Sequence, residues 1–138
     1  MSNVKQLREK QPENEKITIN LGFVDLGRID LLVQEGFYSN RSDFIRTAIR
    51  NQLDSHGDTL RSTLERHTME LGLRDYSKAD LEALRDAGEV LHVKVVGLAR
   101  IATDVTPELV LQTIGSMTVL GALQASADVR KALADRIK

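Results

Sequence analysis

Lys16, Thr18 and Asn20 alternate with Ile17, Ile19 and Leu21 over six consecutive residues. In a strand, successive side chains point to opposite sides, so this stretch would carry an ammonium, a hydroxyl and a carboxamide on one face and three aliphatic groups on the other. The polar set is hydrogen-bonding chemistry and not bond-breaking chemistry. Nothing elsewhere in the chain supplies the latter. The three histidines, His56, His67 and His92, are scattered without ligand spacing, the acidic residues form no convincing catalytic pair, and there is no cysteine. The expectation is therefore a non-enzyme with no metal and no cofactor.

A lone alternating strand cannot satisfy its backbone or bury its apolar side unaided, and no second alternating run lies nearby to form a hairpin with it. The expectation is that residues 16–21 pair with the same residues of a second copy. An antiparallel two-stranded ribbon is narrow enough to enter the major groove of DNA, with its polar face turned to the base edges. Lys16 can donate to guanine O6 and N7, Asn20 can pair in two-pronged fashion with adenine N6 and N7, and Thr18 can offer its hydroxyl or its methyl. Double-stranded DNA and a second copy of the chain are thus the expected partners, and Asn20 the leading determinant of specificity.

Two amphipathic segments follow the strand and must cover its apolar side. From Phe23 to Glu35, Leu26, Ile29, Leu32 and Val33 recur at three- and four-residue steps, and Gly36 supplies a stop. The second segment opens at Ser39-Asn40-Arg41-Ser42-Asp43, where Asn40 can cap the helix and Asp43 can act as the acidic partner of a capping box. Ile45, Ala48, Ile49 and Leu53 form its apolar stripe. The candidate dimer core is Ile17, Ile19, Leu21, Ile29, Leu32, Ile45 and Ile49. Tyr38 is expected to pack through its ring.

Strand, helix, Gly-aromatic turn and capped helix in this order, with Phe37-Tyr38-Ser39-Asn40-Arg41-Ser42-Asp43-Phe44-Ile45-Arg46, resemble the ribbon-helix-helix (CopG/Arc-like) repressors. The resemblance covers Lys16 to about Asp54. It implies two chains interlocked through the ribbon, base contacts from Lys16, Thr18 and Asn20, and a DNA-phosphate clamp at the start of the second helix formed by Ser39, Asn40 and Arg41. A purely structural role in capping is the alternative for Ser39 and Asn40. Two positions depart from the family pattern. Gly22 stands where a proline commonly begins the first helix, and Phe23 is an unusual apolar residue at that entrance.

Charge bears on the same question. The 138 residues carry a formal net charge of -1, and residues 1 to 57 hold eight Lys or Arg against eight Asp or Glu. Binding driven by bulk positive charge is therefore disfavoured, and placement must matter instead. Residues 1–15, polar and broken by Pro12, read as a flexible arm; 16–54 as the DNA-binding and dimerisation domain; 55–72 as a linker and helix; and 73–138 as a C-terminal α/β module. No run approaches the roughly 20 apolar residues that span a bilayer, no signal peptide is evident, and a cytoplasmic location is expected.

Within 55–72, Leu60, Leu64, His67 and Leu71 predict a helix from Thr59 to Leu71, with Gly72 as its stop. Beyond it, Asp80, Asp104 and Asp128 recur every 24 residues in similar settings, and Val95-Val96-Gly97 matches Val119-Leu120-Gly121. Strands are predicted near Leu91 to Ile101 and Met117 to Leu123, with helices after Thr106-Pro107-Glu108 and from about Asp128. This is either a short stack of strand-helix repeats or an ordinary compact α+β domain. The whole chain is thus expected to be α+β: a regulator, most simply a repressor, acting as a homodimer or higher oligomer, with a possible protein partner at 73–138. The rivals are an antitoxin whose C-terminal half holds a toxin, and a self-assembling scaffold.

Overall fold

The computed structural model describes residues 13–138. They fall into two compact units, Asn14–Thr63 and a second that comprises Glu13 and Leu64–Lys138.

In the first unit, residues 14–22 carry neither helix nor strand within the single chain. The helices α1 (Phe23–Gln34) and α2 (Arg41–Ser55) follow. The first ends at Gly36, whose φ of +87° admits the left-handed turn that a side chain would oppose. There Gly36 N–H donates to Val33 O and Phe37 N–H to Leu32 O, closing two orphan carbonyls. The start of α2 is closed reciprocally: Asn40 Oδ1 accepts from Asp43 N–H at 2.8 Å, and Ser39 N–H donates to Asp43 Oδ2 at 2.9 Å. Tyr38 packs edge-on against Phe44 with ring centroids 5.0 Å apart, as expected of a packing residue.

The helix α3 (Gly57–His67) crosses from one unit to the other. It stops four residues before the predicted end at Leu71. Thr68 adopts a left-handed φ of +54°, Thr68 N–H turns back to Glu65 O and Met69 N–H to Leu64 O, and the helix ends there. Leu71 and Gly72, read from the sequence as the end of a helix and its stop, lie inside a strand instead.

That strand, β1 (Glu70–Tyr76), opens a series of three strand-helix steps: α4 (Lys78–Asp86), β2 (Leu91–Ile101), α5 (Pro107–Thr113), β3 (Ile114–Gln124) and α6 (Ala127–Leu133). The three strands are parallel in the order β1-β2-β3. The 24-residue echo therefore reports serial strand-helix units, and there is one more strand than the two the sequence suggested. Each helix begins on a hydroxyl cap: Ser77, Thr106 and Ser126 accept from Asp80, Leu109 and Val129 N–H respectively. The Ser77 cap is a full capping box, and it holds the Asp80 carboxyl below its ordinary range, chiefly through the hydrogen bond with Ser77.

Val93, Val95, Ala99 and Ile101 of β2 and Met117 of β3 point to one side, where Leu81, Val105, Leu109, Val110, Val129 and Leu133 meet them in a single buried cluster. The helices thus cover one face of the sheet. Register aligns Gly72 with Gly97 and Gly97 with Gly121, all three at positive φ. A Cβ on Gly97 would lie 2.2 Å from Gly72 O, and one on Gly121 2.0 Å from Gly97 O. The glycine column lets three adjacent backbones bend together where a side chain on Gly97 or Gly121 would push them apart.

Candidate nucleic-acid interface and dimerisation surface

The side chains of Lys16, Thr18 and Asn20 are all exposed. The alternate set is exposed too: Ile17 by 79%, Ile19 by 58% and Leu21 by 37%. Aliphatic side chains left in water beside one another are costly, up to about 1.5 to 3 kcal/mol for a fully exposed one relative to burial and less in proportion for the partly covered Leu21. The segment also has no strand partner among the described residues, and an unpaired backbone must otherwise rely on water.

Behind the segment, α1 and α2 enclose an open apolar concavity of about 430 Å³. Ile19, Leu21, Ile29, Leu32, Ile45 and Ile49 line it, six of the seven residues singled out as a dimer core; Ile17 is not among its lining. Only Ile29 is buried in this unit, while Phe23, Leu31, Phe37 and Ile49 are all more than half exposed. Fifty residues with one buried aliphatic side chain do not make a self-sufficient core.

At the start of α2 the structure adds a feature that periodicity did not signal. Arg41 Nε and Nη2 donate to Asp30 Oδ1 and Oδ2, both at 2.8 Å, a two-pronged pair that ties α2 to α1 across eleven residues of sequence. The hydrogen bond from Arg41 holds the Asp30 carboxyl below its usual range and raises the guanidinium above its own. Arg41, singled out for a phosphate, is thus engaged in the free chain. The sequence signal was present only as an acid on one helix and an arginine on the next, a pattern too common to single out. Asn40 and Ser39 are occupied in the cap with Asp43. The N–H groups of Arg41 and Ser42, in the first helical turn, have no acceptor inside the helix and form the positive end of its dipole.

The ribbon-helix-helix transcriptional regulator family model matches residues 12–130. The chain belongs to this family. The match runs through the strand-helix series as well as the N-terminal unit, so both halves belong to the family pattern. No curated protein and no solved structure matches the chain. Among the described residues no cluster of three or more His, Cys, Asp or Glu side chains is placed to hold a metal ion, and no helix is long and apolar enough to cross a membrane.

Proposed function

We propose that this ribbon-helix-helix regulator is a homodimeric, sequence-specific DNA-binding repressor whose paired 16–21 segments enter the major groove. The observation that carries the reading is the two-sided segment itself. Its aliphatic side borders an open groove lined by residues of both helices, and its polar side bears three groups suited to base edges. A second copy covering the groove would satisfy the strand backbone and remove the exposed aliphatic surface in one step.

Lys16, Thr18 and Asn20 then contact bases, and the α2 start that carries Ser39, Asn40 and Arg41 contacts a phosphate through the unbonded N–H groups of Arg41 and Ser42. The folded strand-helix unit favours this reading over a toxin-binding tail, since such tails commonly order only on their target. Selection of bound duplexes from a random pool, followed by mass measurement of the winning complex, reports motif and stoichiometry together. Lys16→Ala and Asn20→Ala should lose discrimination against single-base mismatches by roughly 1–3 kcal/mol per contact while dimerisation persists. An unenriched pool would sink the proposal.

A further inference from the structure

The two edges of the parallel sheet are treated differently. On β3, the chain after α6 returns to the strand: Met117 N–H donates to Arg136 O at 2.9 Å and Lys138 N–H to Met117 O at 2.8 Å, forming a parallel bridge between Met117 and Ile137. On β1 no such cover is present among the described residues. It is an edge strand, six of its seven residues are exposed, and Leu71 is 68% and Leu73 37% accessible. An uncovered edge strand with exposed leucines is a template for another strand, and folded proteins ordinarily blunt such edges with charge, proline or a covering segment.

The β1 sequence says which strand fits. Glu70-Leu71-Gly72-Leu73-Arg74 is symmetric about Gly72 in its apolar residues and antisymmetric in its charges. We infer that β1 pairs antiparallel with β1 of a second copy, centred on Gly72. In that register Glu70 lies opposite Arg74 of the partner subunit and Leu71 opposite Leu73 of the partner subunit, each pair occurring twice. Directly opposed residues share a face, so the charges meet on one side of the joined sheet and the leucines on the other.

Neighbouring registers do worse. Shifting the sum of paired residue numbers by one places Glu70 against Asp75 or against Leu73, and shifting it by two leaves both charges without a partner of opposite sign. Within one chain Arg74 already donates to Glu70 across Gly72, so both groups sit together on one face with their chemistry compatible. The positive φ of Gly72 is no obstacle, because Gly97 and Gly121 carry the same bend and pair through it.

The union joins two three-stranded sheets into one of six. It also continues the apolar row that Leu71, Val96 and Leu120 form on the face opposite the helices. Seven residues of edge are a small contact by themselves. In chains held together elsewhere the contact becomes intramolecular, where effective concentration favours it. The inference needs a second copy of this chain and does not depend on DNA contact.

The natural absence of cysteine makes the test direct. Two full-length chains with different tags, Leu71→Cys and Leu73→Cys, are co-expressed and oxidised, and disulfides are read on a denaturing gel. The mixed disulfide should exceed either self-disulfide by about tenfold, since only opposed positions share a high effective concentration. Adding Glu70→Arg to both chains should remove most of it. Placing Glu70→Arg on one chain and Arg74→Glu on the other should restore it, which a merely unfolded variant could not do. Equal yields of all three disulfides, or no rescue in the charge-swapped pair, would overturn the inference. DNA binding measured on the same samples reports separately on the ribbon.

Discussion

Replacing Gly97 with alanine tests the glycine column, the feature that lets three parallel backbones bend in step. Two costs combine. At φ +137° an L side chain is strained, at roughly 1–3 kcal/mol for such a sparsely populated conformation. The new Cβ would also lie 2.2 Å from Gly72 O, and that atom belongs to the β1 backbone and not to a flexible side chain. Relief requires β1 and β2 to part by about 1 Å, enough to weaken one or two ladder hydrogen bonds worth about 1 kcal/mol each. The expected loss is about 2–5 kcal/mol, a large share of the 5–15 kcal/mol that typically holds a domain.

Hydrogen exchange read by mass spectrometry resolves the two units. It should show β1 and β2 amides exchanging at least about thirtyfold faster in Gly97→Ala, given tenfold per 1.4 kcal/mol. Gly88→Ala is the control. Its φ is +69° but no atom lies within 4 Å of the added Cβ, so only conformational strain applies, about 1 kcal/mol. If Gly97→Ala proves no more destabilising than Gly88→Ala, the close approach of the Gly72 and Gly97 backbones does not constrain the sheet.

Further outcomes follow from the same geometry. Asp30→Asn releases Arg41 from its two-pronged pair, so affinity for nonspecific DNA should rise and the salt dependence steepen, read by fluorescence anisotropy at two salt concentrations; unchanged binding would show that Arg41 does not reach a phosphate. Arg136→Ala removes the guanidinium that donates to both Leu111 O and Ile114 O at 2.7 Å, and should cost about 1.5–3 kcal/mol in urea unfolding of the strand-helix unit. Asp30 and Asp80 both titrate lower in the folded chain than their ordinary 3.8, so folding binds fewer protons there; the stability they contribute is present above that value and is lost as pH falls through the folded values. Tyr76 runs the other way. Burial raises its phenol above 10.0, so its contribution is full below pH 10 and fades as pH rises through the higher folded value, a step that Tyr76→Phe should remove.

What the chain spells out locally is what its near neighbours in sequence can satisfy. Asn40 with Asp43, Gly36 after α1, and the hydroxyls of Thr106 and Ser126 are short-range capping devices, and each sits at the helix boundary it signals. Leu91–Ile101 was legible for a related reason, since a long β-favouring run buried through alternate residues leaves little choice. Family membership was likewise readable from the order of elements between Lys16 and Asp54.

Other features required distant partners. Leu71 fits a helical stripe when read with Leu60, Leu64 and His67. It becomes part of a strand because Thr68 turns left-handed and Val96 lies 25 residues on to receive it. Parallel strands can pair only after a long intervening loop has closed, so their register is written in no single window of sequence. Arg41 could face solvent, a phosphate or a carboxylate on equal sequence evidence, and only the packing of α1 against α2 brings Asp30 within its reach. The alternation from Lys16 to Leu21 lies between these cases: its two faces are spelled by the residues, whereas no strand among the described residues pairs with it to bury the aliphatic one.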